Sequence, residues 1–187
     1  KIQLEEIKPL ELDPIKVICR RGAMEFSNNA FINLGIGVPM NVSNVLNEEG
    51  LIKNVSASIE SGVMGGVPAP GIATGAAYNP DAILKQPDMF DFYDGGGLDL
   101  CYLGLAECDP KGNINVSRFG PRIAGCGGFI NITQCTPKVF FCGTFTAGGL
   151  KVKVEDGKVV IVQEGKQKKF VKTVEQITFN GDVANER

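Results

Sequence analysis

The chain has 187 residues, 24 of them glycine and 10 proline, and no histidine. That length fits one domain with a substantial core. The missing histidine excludes Ser-His and Cys-His nucleophile pairs, imidazole metal ligands and the usual neutral-pH proton shuttle. A formal net charge of −2 with no clustered Lys and Arg face excludes a nucleic-acid surface. Any catalysis must use carboxylates, amines, thiols, hydroxyls or backbone N–H groups.

The charge is unevenly spread: residues 54–110 carry Lys85 alone against eight Asp and Glu, whereas residues 151–172 carry seven lysines alternating with valines. Cys19, Cys101, Cys108, Cys126, Cys135 and Cys142 form no C-x-x-C pair and lie in apolar or glycine-rich runs. They read as free thiols in a reducing compartment, the cytoplasm or, in a eukaryote, the mitochondrial matrix. No apolar run reaches the ~18 residues of a membrane span, and no signal peptide opens the chain. Its first residue is Lys1, as in a processed or excised piece.

In chain order, residues 14–30 place Ile15, Ile18, Cys19, Ala23 and Phe26 at helical spacing behind a first-turn proline. Phe31 to Leu34 reads as a short strand running into Gly35-Ile36-Gly37-Val38-Pro39. Pro39 begins a second helix that Gly50 stops. Val55 to Ile59 is strand-like, with Glu60 at its carboxyl end before Ser61-Gly62. Val67 to Pro87 reads as an ordered loop over the sheet edge. Phe90 to Asp94 leads through three glycines into a buried strand, Leu98 to Ala106, and a turn at Asp109 to Asn113. Asn115 to Ser117 is its return. Gly125-Cys126-Gly127-Gly128 opens a short helix, Phe129 to Cys135, before a strand at Val139 to Thr144. Glu155-Asp156-Gly157 joins a hairpin. The expected fold is α/β, an open, largely parallel sheet with flanking helices and a β-hairpin near the C-terminus, in a single domain over residues 1–187.

Glu60 is the leading candidate for chemistry, because open α/β sheets bind ligands at the carboxyl ends of their strands. No nearby Lys or Arg makes it a structural ion pair, and glycines leave room for a ligand; a plainly solvated glutamate is the alternative. The loops Gly35-x-Gly37 and Gly125-x-Gly127-Gly128 can present N–H groups to an anion, although tight turns explain such loops as well. Neither completes a nucleotide fingerprint. Asp88, Asp91, Asp94 and Asp99 match no calcium loop and read as turn residues, so no metal site is expected. Cys126 lacks a histidine partner, and Phe90, Phe92 and Tyr93 read as core.

Four ordered motifs resemble the second, β-type half of a family I CoA transferase (NagB/RpiA-type fold) over almost the whole chain. They are Asn33-Leu34-Gly35-Ile36-Gly37-Val38-Pro39; Ile59-Glu60-Ser61-Gly62; Gly96-Gly97-Leu98-Asp99-Leu100 with Gly112-Asn113-Ile114-Asn115-Val116; and Ala124-Gly125-Cys126-Gly127-Gly128-Phe129. Glu-Ser-Gly points to the branch of acetyl-CoA:acetoacetyl-CoA and propionate CoA-transferases. Succinyl-CoA:3-oxoacid enzymes carry Ser-Glu-Asn-Gly, and Ser61 stands here in place of that Asn.

The resemblance implies that Glu60 is a nucleophile forming a glutamyl-CoA thioester. It places Gly127 and Gly128 at the oxyanion hole, and Gly35, Gly37, Val38, Gly62 and Gly125 against CoA or substrate. Coenzyme A is then a co-substrate, with no bound cofactor and no metal. The implied partners are an acyl-CoA, a short-chain carboxylate, a preceding half or α subunit absent from this sequence, and further copies in a homo-oligomer. Relatives continue past the position of Arg187, so a C-terminal truncation is expected. An acyl-CoA hydrolase using the same intermediate, or a non-catalytic binding or assembly module, is the alternative.

Overall fold

Successive side chains along a strand point to opposite faces of a sheet, and two central strands sort their residues accordingly. Ile32, Leu34, Leu100 and Tyr102 pack into one buried cluster, while Cys101 and Leu103 join a second. The computed structural model describes residues 1–69 and 75–186. Its six-stranded sheet contains β1 (Ala30–Leu34), β2 (Val55–Ile59), β3 (Val63–Met64), β4 (Ala82–Ile83), β5 (Leu100–Leu103) and β6 (Lys138–Phe141), in the spatial order β6-β5-β1-β2-β3-β4. From β6 to β2 the pairing is parallel, and the two short edge strands are antiparallel. The sheet is therefore mixed, though parallel at its centre.

Helices cover both faces. Helix α1 (Pro14–Ala23) and α2 (Asn41–Glu48) bury Cys19, Ala23, Val42, Val45 and Leu46 against the first cluster. Helix α3 (Gln86–Asp94) and α4 (Phe129–Cys135) bury Met89, Tyr93, Phe129 and Ile132 against the second. Asp13 caps α1 by accepting from the Lys16 N–H at 2.8 Å, a cap typically worth about 1 kcal/mol. A Lys16–Glu48 ion pair at 2.7 Å ties α1 to α2. A last short helix, α5 (Gly181–Asn185), lies near the turn at Gly112.

Several elements differ from the pattern-based reading, each for a local reason. Helix α1 ends at Ala23 and not near residue 30: the Met24 and Glu25 N–H groups close tight turns onto the Arg21 and Gly22 carbonyls, and Asn29 further on takes a positive φ of 65°. Residues 86–94, which the aromatic run obscured, form a helix with Pro87 in its first turn and Gly95 at its end. The strands read over 98–106 and 139–144 shorten to β5 and β6. The stretch 67–87 holds two-residue strands as well as loop, and residues 70–74 lie outside the described residues. The C-terminal hairpin, β7 (Lys151–Glu155) and β8 (Lys158–Gln163), forms as its Asp-Gly signal predicts, with φ of 50° at Asp156 and 73° at Gly157. Among the described residues no helix is long and apolar enough to cross a membrane.

The sharp reversal from β2 into β3 sits directly after Glu60 and depends on Gly62. Its φ is 111°, and a Cβ there would run into the Leu84 carbonyl oxygen, whose own N–H donates to the Gly62 carbonyl at 2.8 Å. Gly62→Ala therefore meets both backbone strain and a backbone clash. It is expected to lower the unfolding free energy by about 2 kcal/mol or more in denaturant titration; a loss under 0.5 kcal/mol would show that the turn tolerates a side chain.

Candidate active site

Glu60 follows Ile59, the last residue of β2, at the carboxyl end of the central strands. Side chains two apart on a strand share a face, so Glu60 emerges on the same side as Ser58, the side covered by α3 and α4. Its carboxylate rests against the Cα of Gly128: a Cβ built there would overlap Glu60 Oε2 and the Phe90 ring. Gly128 is thus glycine because the carboxylate and an aromatic ring occupy the space of its side chain.

Among the described residues, no donor bonds the Glu60 carboxylate and no cation pairs with it. Burial then acts uncompensated and raises its pKa above the ordinary value of 4.5. Two cavities meet at this carboxylate. One, of about 360 Å³, brings together Asn33, Gly35, Glu60, Gly125, Gly127 and Gly128, with Leu103, Phe129 and Ile132 as an apolar wall. The other, of about 420 Å³, opens beside Gln86, Phe90 and Asn131 and shares Glu60, Gly127 and Gly128 with the first. Among the described residues, neither is lined by a Lys or Arg. Among the described residues, no hydrogen bond engages the N–H of Gly127 or Gly128. Gly127 and Gly128 thus line both cavities beside the Glu60 carboxylate.

Five of the residues singled out in the sequence converge here: Glu60, Gly127, Gly128, Gly35 and Gly125. Three do not line this space. Gly37 is exposed in a turn, Val38 packs on the first core cluster, and Gly62 shapes the reversal after β2. Gly35 also has a structural reason to lack a side chain, since its N–H donates to the Tyr102 carbonyl at 2.8 Å and a Cβ would crowd Leu103 at 2.9 Å. Among the described residues no three metal-ligating side chains gather. Asp88, Asp91 and Asp94 are exposed along α3, and Asp99 accepts from the Phe31 N–H at 2.7 Å. All six cysteines are free thiols, with Cys126 in the cavity lining. Of the aromatic cluster, Tyr93 is buried as expected, but Phe90 lines the second cavity.

One group escaped the motif-based reading. Asn33 is 1% exposed on the floor of the first cavity, and its Nδ2–H donates to Tyr93 Oη at 3.0 Å. The Tyr93 hydroxyl donates to Ser58 Oγ at 3.0 Å, and the Ser58 hydroxyl donates to the Ile32 carbonyl at 2.9 Å. Burial pushes the Tyr93 phenol up, with the Glu60 charge acting in the same direction, so it serves as a neutral donor. The available signal was polar residues, Asn33 and Ser58, inside strands that should be apolar when both faces are covered.

No family model matches the chain. Acetate CoA-transferase YdiF of Escherichia coli K12 is 46% identical over 178 residues, covering 95% of this chain and 34% of that protein. The β subunit of an Escherichia coli acetate CoA-transferase is 32% identical over 128 residues, covering 63% of this chain and 57% of the subunit. Among solved structures, the thioester complex with CoA of the YdiF acyl-CoA transferase from Escherichia coli O157:H7 superposes with a TM-score of 0.86 at 41% identity, covering 97% of this chain and 34% of that one. The chain thus spans about a third of YdiF. The sequence and the mixed, centrally parallel α/β fold are those of the β-subunit-like part of the family I CoA-transferases.

Proposed function

We propose that this chain supplies the nucleophile of an acyl-CoA:carboxylate CoA-transferase, which moves CoA from an acyl-CoA to a short-chain carboxylic acid through a glutamyl-CoA thioester. The observation that carries the reading is the Glu60 carboxylate: half-buried, without a cation or donor among the described residues, and set against a glycine between two cavities. An ionised carboxylate needs no base to become a nucleophile, which suits a chain without histidine.

A Glu60 oxygen attacks the thioester carbonyl; a C–O bond forms, the C–S bond breaks, and its electron pair leaves with CoA thiolate. The product is an acyl-glutamyl anhydride. The thiolate then attacks the Glu60 carboxyl carbon, forming the glutamyl thioester and expelling the first acid as its carboxylate. A second carboxylate attacks that thioester carbon, displacing CoA thiolate, which attacks the new acyl carbon and returns Glu60 as a free carboxylate. No proton changes hands. Each addition puts charge on an oxygen, and the free N–H groups of Gly127 and Gly128 are the proposed donors, each typically worth about 3 kcal/mol in such a role. Gly35 and Gly125 line the ligand-facing loops, while Gly37, Val38 and Gly62 act by shaping them.

Glu60-Ser61-Gly62 favours the acetyl-CoA:acetoacetyl-CoA and propionate branch. The chain is read as one β-type domain that works with a preceding half or α subunit, in a homo-oligomer, in the cytoplasm. The greater length of YdiF and the separate β subunit among the relatives support the preceding half or α subunit, and the free thiols support the compartment.

Incubating the full protein with acetyl-CoA is expected to attach CoA to the peptide carrying Glu60, and borohydride should reduce that thioester. Glu60→Ala should lose both adduct and transfer; an adduct elsewhere, or full transfer by the variant, refutes the reading. Gly128→Ala pushes a methyl group into the carboxylate and the Phe90 ring. It is expected to cut kcat about 100-fold, as displacements near 1 Å can, while circular dichroism stays native; unchanged kcat would remove Gly128 from the site.

Burial of Glu60 also makes a signed pH prediction. Below its ordinary pKa of 4.5 the side chain is protonated folded and unfolded, and its burial carries no charge cost. As pH rises past that value the unfolded chain ionises first, so the native state loses stability until Glu60 ionises there too. Glu60→Gln should therefore have a higher Tm than the parent at pH 7, with the gap closing on acidification below 4.5. A gap that is absent at pH 7 or independent of pH would contradict uncompensated burial.

A further inference from the structure

One residue that lines the first cavity carries a side-chain acceptor that no group among the described residues satisfies. Asn33 Oδ1 is the buried side-chain oxygen without a partner among the described residues, on a residue 1% exposed that lines the same cavity as Glu60. Leaving such a group dry normally costs 1–3 kcal/mol, so native structures rarely do it without a reason.

The amide cannot relieve this by rotating. The Ile32 carbonyl only accepts, which fixes the Ser58 hydroxyl as its donor; Ser58 Oγ is then the acceptor for Tyr93, and Tyr93 Oη the acceptor for Asn33 Nδ2–H. Turning the amide over would leave Tyr93 with only one of Asn33 and Ser58 to donate to, and the relay would lose a bond. Four groups on β1, β2 and α3 thus hold Oδ1 away from Tyr93.

We infer that Asn33 is a substrate-binding residue whose Oδ1 accepts a hydrogen bond from an N–H or O–H of the bound substrate. This rests on the reading of Glu60 as the nucleophile. Thioester and carboxylate ends are acceptors only and are claimed by the chemistry at Glu60 and Gly128. The donor must come from elsewhere on the ligand. Two parts can supply it: the amide N–H of the CoA arm closest to sulfur, which is present in both half-reactions, or a hydroxyl on the acyl chain. A site built around a buried acceptor rejects an analogue lacking the donor, because the acceptor is then left unpaired.

The test is a pair of double-mutant cycles on the full enzyme. Parent and Asn33→Leu are compared on acetyl-CoA against its analogue with an ester oxygen in place of that amide N–H, and on 3-hydroxybutyrate against butyrate as acceptor acids. The parent is expected to disfavour the donor-less member of one pair by about tenfold or more in kcat/KM, and Asn33→Leu to erase that ratio. Coupling in the first pair assigns the CoA arm, and in the second the acyl hydroxyl. Tyr93→Phe, which removes the relay's centre while keeping the acceptor, should shrink the same ratio.

A merely structural Asn33 would depress all four substrates alike. Ratios unchanged in Asn33→Leu, or no discrimination by the parent in either pair, overturn the inference. If Asn33→Leu does not fold, Tyr93→Phe alone decides by the same ratios. The inference fails separately from the Glu60 reading, since the parent can form the CoA adduct at Glu60 while showing no discrimination at all.

Discussion

Everything distinctive about this molecule depends on one close approach: the Glu60 carboxylate lying on the Cα of Gly128. The two residues come from segments far apart in sequence, and they meet because the carboxyl end of β2 and the loop before α4 converge at one end of the sheet. Any side chain at residue 128 would have to occupy the space of the carboxylate or of the Phe90 ring. The glycine lets a carboxylate sit half-buried with no countercharge among the described residues, at the place where Gly127 and Gly128 line both cavities.

Holding that geometry falls to an asymmetric sheet. The face under α1 and α2 is apolar throughout its centre, built from Ile32, Leu34, Leu100 and Tyr102, and it uses hydroxyl chemistry only at its margin, where Tyr102 donates to the Gly22 carbonyl at 2.9 Å. The opposite face carries Asn33, Ser58 and Tyr93 in its interior. A polar relay in a core is costly unless every member is satisfied. Here it is satisfied except at Asn33 Oδ1, on a residue that lines the cavity. Both faces carry an apolar cluster, and the second also carries this relay.

Much of this was legible in the sequence, and the exceptions have physical causes. The apolar runs at β1 and β2, the Gly50 stop and the Asp156-Gly157 hairpin are local signals, and they hold, whereas α2 begins at Asn41, two residues after Pro39. The strand-end place of Glu60 was legible because a charge directly follows an apolar strand and precedes Ser-Gly. Helix α3 was hidden because Phe90, Phe92 and Tyr93 mimic a strand's composition, while its decisive cues, Pro87 and Gly95, sit at its ends. The antiparallel edge strands β3 and β4 are two residues long, too short for any periodicity to register. The convergence of Gly35, Gly125, Gly127 and Gly128 on Glu60 is a tertiary fact. Motif order can suggest it, but single glycine loops cannot. Asn33 showed only as a polar letter in an apolar strand, and its role in the relay was hidden because Ser58 and Tyr93 lie far along the chain.

The charge pattern noticed at the outset, a stretch from 54 to 110 with Lys85 as its one cation, then acquires a mechanistic sense. A lysine or arginine beside Glu60 would offset its burial, lower its pKa and tie its lone pairs into an ion pair. That would stabilise the fold and, on the proposed reading, weaken the nucleophile. Without a cation among the described residues, burial leaves the carboxylate more basic than in water, as the proposed attack on an acyl carbon requires. A strand-end position limits the cost, because the group is only half withdrawn from solvent. The absence of histidine fits the same logic, for a carboxylate already ionised at neutral pH has no proton for a base to remove.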